Sequence, residues 1–249
     1  MYAMESIAIP SGKDTLNGLL HRSHKPSETT LIVSHGFRGT KEGGGRALRL
    51  AETLAAAGLH VIRYDFTPLQ NLTCQTAELT AVIEYSRQAV GKRTILLGRS
   101  MGGSTSLAVA AADQTIAGLI LWSTPWDLTA TFQLALGVHY NELLTEKSLS
   151  ITDEYGRLFL TADFIRDFDN HDLLAAVKRL AHTPLLILHG TADAVVPVSQ
   201  AYDIYNLAAG AKELQLYKDG DHHLSDHAAS AGAAIVTWLN NKAFTGTKS

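Results

Sequence analysis

Hydrophobic positions along the chain gather into short apolar runs, at 31–34, 60–65, 94–97, 119–122, 185–188 and 214–217. Runs this short with little internal alternation suit strands of a parallel sheet covered on both faces, since neither face looks onto water. Between them the spacing changes to helical. Ala47, Leu48, Ala51, Leu54 and Ala55 mark one stripe, closed by Gly58; Leu79, Val82, Ile83, Ser86 and Val90 mark a second. A small-residue helix is expected from Gly102 and Gly103 to Ala112. Pro197 opens a stripe of Val198, Ala201, Tyr205 and Ala208, and Ala231, Ile235, Trp238 and Leu239 form the last. Upstream, 6–9 and 15–21 flank Ser11-Gly12-Lys13-Asp14 and predict a hairpin. Strand and helix in alternation predict a doubly wound α/β fold around a mostly parallel eight-stranded sheet.

One stretch breaks the rhythm. Residues 126–182 contain no parallel-strand pattern and are too long for a simple crossover. The expectation is a core built from 1–125 and 183–249, with 126–182 inserted as a cap that is not an independent domain. Extra helices on the flank of the sheet are the alternative.

Composition narrows the class. The chain has 249 residues, 46% hydrophobic and 18% charged, with 21 basic against 24 acidic side chains and a net charge of −3. That balance offers no basic excess for nucleic acid or an anionic membrane surface. Cys74 is the single cysteine, so no intrachain disulfide can form. The first residues lack a basic region followed by an apolar stretch, and no apolar run approaches a membrane span; a cytoplasmic location is expected. A homodimer is left open.

The chemistry centres on Gly98-Arg99-Ser100-Met101-Gly102, directly after a strand and before a helix. A serine pushed out on that sharp turn needs glycines two residues to either side, where side chains would strike the neighbouring strand and helix. A serine hydroxyl is a weak nucleophile and needs a base oriented by an acid. Asp193 follows the strand at 185–188 and His222 follows the strand at 214–217, which gives the order Ser100, Asp193, His222. His223 is the competing base and Asp127 the competing acid. Two backbone amides must meet the negative charge on the carbonyl oxygen; Met101 and Phe37, the latter in His35-Gly36-Phe37-Arg38-Gly39, are the expected donors. Trp126 and Phe132 are the candidate substrate-binding residues. His223 and His227 lie four apart, but no further ligand cluster accompanies them, and 41–46 matches neither nucleotide-binding glycine pattern. No metal and no cofactor are expected.

These residues resemble the α/β-hydrolase superfamily over nearly the whole chain. The segments 34–42, 98–103, 189–197 and 221–225 look like those of dienelactone-hydrolase-like and cinnamoyl/feruloyl-esterase-like enzymes. The resemblance implies a serine carboxylesterase acting on a small-molecule ester, with Ser100, Asp193 and His222 as its triad and an insertion after the sixth strand that shapes the pocket. Peptidases, thioesterases, acyltransferases and non-catalytic binding proteins share the core motifs. Feruloyl-type relatives have a glycine-rich turn after the fourth strand, where this chain reads Thr67-Pro68-Leu69-Gln70-Asn71.

Overall fold

The computed structural model describes residues 4–153 and 156–245. In chain order the elements are β1 (Met4–Ser11), β2 (Asp14–His21), β3 (Thr29–Ser34), α1 (Arg46–Ala56), β4 (His60–Tyr64), α2 (Leu72–Ala89), β5 (Arg93–Arg99), α3 (Met101–Ala112) and β6 (Gly118–Trp122). There follow α4 (Leu128–Leu136), α5 (Val138–Glu146), β7 (Ser148–Asp153), β8 (Gly156–Thr161), α6 (Ala162–Arg166) and α7 (Leu173–Lys178). The chain then runs through β9 (Leu185–Gly190), α8 (Ser199–Leu207), β10 (Lys212–Tyr217) and α9 (Ala228–Asn241).

Eight strands form one sheet in the order β1-β2-β4-β3-β5-β6-β9-β10. The β1–β2 hairpin and the β2–β4 pair are antiparallel, and the other pairings are parallel. The apolar runs divide by parity, as side chains on a pleated strand must. Leu31, Val33, Ile95, Leu97, Ile120, Leu186 and Leu188 face α1 and α9, where they meet Ala51, Leu54, Ile235, Trp238 and Leu239. Ile32, Leu96, Leu119, Leu121, Leu185 and Ile187 face the opposite layer with Leu79, Val82, Leu107, Val177 and Ile204. Each side chain so buried contributes roughly 1.5–3 kcal/mol relative to exposure. The first helical stripe ends as its sequence indicates: Gly58 takes φ +107 and its N–H reaches the Ala55 carbonyl at 3.1 Å.

The strand order reverses direction between β3 and β5, because β3 lies between β4 and β5. Ligand sites in open α/β sheets form outside the carboxyl ends of strands at such a switch point. The insertion after β6 comprises α4, α5, an antiparallel β7–β8 hairpin and α6. Helix α7 packs against α3 and α8 and forms the return crossover to β9. The hairpin has no counterpart in the sequence reading; its outward residues alternate with buried Leu158 and Leu160 over too few positions to separate it from the helical pattern around it. Among the described residues no helix is long and apolar enough to cross a membrane.

A polar tie joins the insertion to the core. Asp167 accepts from the Thr73 N–H at 2.8 Å, the Thr73 hydroxyl at 2.6 Å and Asn170 at 3.2 Å, so it caps the first turn of α2. Burial alone would raise its pKa, but the Thr73 hydrogen bonds outweigh that and hold it below the ordinary carboxylate range. A depressed folded-state pKa contributes stability above about pH 4 that is lost as pH falls. Asp167→Asn is expected to cost about 2 kcal/mol at pH 7 in urea unfolding, and the difference from wild type should shrink toward pH 3.

Candidate active site

Ser100 sits between β5 and α3 at φ +50 and ψ −128, a strained backbone for a residue with a side chain. Its N–H donates to the Trp122 carbonyl at 2.9 Å and its carbonyl accepts from the Gly103 N–H at 2.8 Å, which together fix the turn. The glycines are required by close approach. A Cβ on Gly98 would collide with the Gly102 carbonyl oxygen, and one on Gly102 with the His35 carbonyl oxygen.

Asp193 and His222 meet. The Asp193 side chain is fully buried, and its Oδ2 accepts from His222 Nδ1 at 2.8 Å. Its Oδ1 accepts from the Val195 and Val196 amides at 2.9 and 2.8 Å. Burial by itself would raise this carboxyl's pKa. Hydrogen bonds from His189 and His222, the His222 charge and the Val196 amide outweigh burial and hold it well below the usual carboxylate range. His189, buried at the end of β9, bonds through Nε2 with the Val196 carbonyl at 2.8 Å and lies 3.3 Å from Asp193. The loops carrying acid and base are laced together. Ala192 donates to the Gly220 carbonyl at 3.0 Å, Thr191 to Tyr217 at 2.9 Å, and Asp219 to the Thr191 hydroxyl at 2.8 Å. With Nδ1 of His222 engaged by Asp193, Nε2 is the nitrogen left to exchange a proton.

The loop after β3 lies against the serine: a Cβ on Gly36 would stand 3.0 Å from Ser100 Cβ and 3.6 Å from its Oγ. His35 Nε2 accepts from the Phe66 N–H at 3.1 Å, so Nδ1 carries the proton and donates to the Gly36 carbonyl at 2.8 Å. Further along, Asp65 accepts from both the backbone N–H and the ammonium of Lys41, at 2.7 and 2.5 Å. Arg63, fully buried, donates to the Lys41 carbonyl and to Glu42, and its Nε and Nη2 donate to His21 Nε2 at 3.2 and 3.0 Å. Met101 is steadied from below, where Thr105 bonds with Gln75 at 2.9 Å and with the Met101 carbonyl at 3.1 Å. The brace of His21, Arg63 and Asp65 carries no local sequence signal, because its members and their partners come from β2, from β4 and the residue after it, and from the loop after β3.

Burial, with the Arg63 charge adding to it, pushes His21 down to about 4. The neutral ring is the form the fold wants, while the unfolded chain takes a proton near pH 6.5. Stability is therefore expected to fall as pH drops from about 6.5 toward 4, by on the order of 1 kcal/mol per pH unit. Urea midpoints of wild type and His21→Gln over that range would show it as a shallower slope in the variant.

The other sequence candidates each have their own partners. Phe132 is only 3% exposed and packs edge-on to Phe37 at 5.0 Å, within a cluster that includes Phe164 and Phe168. Trp126 donates from Nε1 to Asp203 at 3.1 Å and lines a cleft of about 190 Å³ with Phe168 and His171. Asp127 caps α4 through the Ala130 N–H at 2.8 Å. His223 lies beside His222 at 5.4 Å between rings, whereas His227 turns to the Lys218 carbonyl and the Tyr217 ring.

An eight-stranded sheet of this order, an elbow serine after β5, an acid–histidine pair after β9 and β10, and an insertion after β6 define an α/β-hydrolase fold. The acetyl xylan esterase (AXE1) family model matches residues 69–242, and the chain belongs to that family. The uncharacterised protein YfhR of Escherichia coli O157:H7 is 26% identical over 204 residues, which cover 78% of this chain and 62% of YfhR. A lysophosphatidylserine lipase of Danio rerio is 26% identical over 215 residues, covering 79% of this chain and 52% of the lipase. The chain thus spans less than two thirds of the length of these relatives. Among solved structures, Est1E from Butyrivibrio proteoclasticus with bound ferulic acid superposes with a TM-score of 0.81 at 19% identity, covering 95% of this chain and 98% of Est1E.

Proposed function

We infer that this chain hydrolyses carboxylic esters of small to medium acyl groups through an acyl-enzyme on Ser100. The observation that carries the reading is the 2.8 Å hydrogen bond between Asp193 and His222, on laced loops after β9 and β10, together with a strained elbow serine after β5 of the same sheet. His222 takes the proton of Ser100 as Oγ attacks the acyl carbon, and Asp193 holds the imidazolium that forms. The amides of Met101 and Phe37 receive the charge on the carbonyl oxygen. Collapse breaks the acyl C–O bond, and His222 returns its proton to the departing alcohol oxygen. Water, deprotonated by the same histidine, then releases the acid and restores the serine.

Two features bear on the acyl group. The ring of Phe37 is fixed by Phe132 and Phe164, at 5.0 and 5.3 Å, so the donor loop and the insertion share one aromatic cluster. The family's acetyl ester chemistry agrees with a short acyl group. The ferulic acid bound by Est1E raises an aromatic acyl group as the finer reading, although 67–71 here lacks the glycine turn. Hydrolysis of p-nitrophenyl esters from acetate upward, with methyl ferulate alongside, separates the two. A maximum at acetate to butyrate supports the short-acyl reading, a preference for ferulate replaces it, and no turnover of any ester by folded protein rejects both.

A further inference from the structure

Arg99, between Gly98 and Ser100, points to the α1 and α9 side of the sheet. Its guanidinium carbon lies 5.0 Å over the ring of buried Trp122. Stacking uses the face of the guanidinium and leaves its edge donors free. None is used: among the described residues Arg99 has no hydrogen-bond acceptor and no carboxylate at ion-pair distance, and its Nε is buried without a partner. Arg46, the first residue of α1, is likewise unpaired, as is His223 apart from its ring contact with His222. These groups feel one another. Burial, then the Arg46 charge, pushes Arg99 down to about 10, and burial followed by the charges of His222, Arg99 and Arg46 lowers His223. The acid that bears on all three is Asp221, but its oxygens accept from the N–H and hydroxyl of Ser225 at 2.7 Å each. Two partly buried guanidiniums with no committed anion, the Nε of Arg99 buried outright, are costly unless a ligand supplies the missing charge; the exposed imidazole of His223 stands beside them as a further donor.

The cluster's position says which part of a ligand that is. Arg99 precedes the nucleophile, and Asp221 and His223 flank the histidine that protonates the departing oxygen in the reading above, on which this inference rests. We propose that Arg46, Arg99 and His223 form an anion subsite on the leaving-group side of Ser100, and that the substrates are esters whose alcohol half carries a carboxylate or phosphate. A guanidinium fork suits either group, and the partial positive charge at the start of α1 adds to it.

The test compares 4-acetoxybenzoate with 4-acetoxybenzamide, which share the acyl group and differ in charge on the departing phenol. Wild type is expected to favour the carboxylate by about tenfold or more in kcat/KM at low ionic strength, with the preference reduced by 0.5 M salt. In Arg46→Gln the ratio of the two should fall toward one. Equal losses on both esters, or no preference in wild type, would overturn the proposal. Calorimetric titration with 4-hydroxybenzoate and with inorganic phosphate keeps it separate from the hydrolase reading. If neither ester turns over, that reading fails, yet 4-hydroxybenzoate binding that Arg46→Gln abolishes still supports an anion site. Absence of binding rejects the site. Phosphate binding without discrimination between the esters assigns it to a free ion and rejects the substrate class.

Discussion

Ser100→Ala is expected to lower kcat for p-nitrophenyl acetate by about 10⁶, while thermal unfolding changes by less than about 1 kcal/mol. The two halves of that expectation come from different parts of the elbow. The strain at φ +50 and the hydrogen bonds to Trp122 and Gly103 belong to the backbone, which alanine retains, whereas only the hydroxyl can form the acyl-enzyme. Mass spectrometry after brief incubation with a fluorophosphonate gives the same answer without a chromogenic substrate: one adduct on wild type and none on the variant. Substantial turnover by the variant would move the nucleophile elsewhere and leave the laced acid and base without a role.

Asp193→Asn should cost about 10⁴ in kcat with little change in KM. The carboxylate accepts from His222 and two amides, with His189 Nε2 at 3.3 Å, and an amide group in its place has one acceptor oxygen for those three donors. If its NH₂ faces His222, the ring must flip its tautomer and present the wrong nitrogen to Ser100. The same substitution has a signature at acid pH. Asp193 is held below the carboxylate range in the folded chain, so its contribution is present above about pH 4 and lost as pH falls. The stability gap between wild type and variant, read from urea midpoints, should therefore be widest near neutrality and narrow below pH 4. A variant with full kcat would reassign the acid.

Much of this was open to reading in the sequence, for definite physical reasons. The parallel strands declare themselves because both faces are buried, which leaves uninterrupted apolar runs such as 95–97 and 185–188. The elbow is legible because its glycines answer to a steric demand within five residues, and the acid and base because each follows a strand end. What escaped is assembled from distant pieces. Arg63 has the sequence of an ordinary strand arginine, and nothing near it announces that His21, Lys41 and Glu42 will surround it. The β7–β8 hairpin escaped for a related reason, since it packs against α5 and α6, elements that its own residues do not announce. Phe132 shows the limit from the other side: its aromatic character is plain in the sequence, but whether it faces a ligand or other phenylalanines depends on where the insertion folds back.

That fold-back has an evolutionary consequence. β6 and β9 are neighbours in the sheet, paired from Leu119 with Leu185 to Trp122 with Leu188, so everything between them is a detour that uses none of the sheet's hydrogen bonds. A lineage can lengthen, shorten or replace the detour without disturbing the strands that hold the serine, the acid and the histidine. Its freedom is limited where the detour touches the core: at the Phe37 ring, the Thr73–Asp167 tie, the Arg38 bond to the Gly156 carbonyl, and the bonds of Trp126, Asp127 and Thr131 with Gln200 of α8. The insertion and the sheet are thus nearly separable pieces of structure, and the phenylalanine cluster is one of the places where they meet.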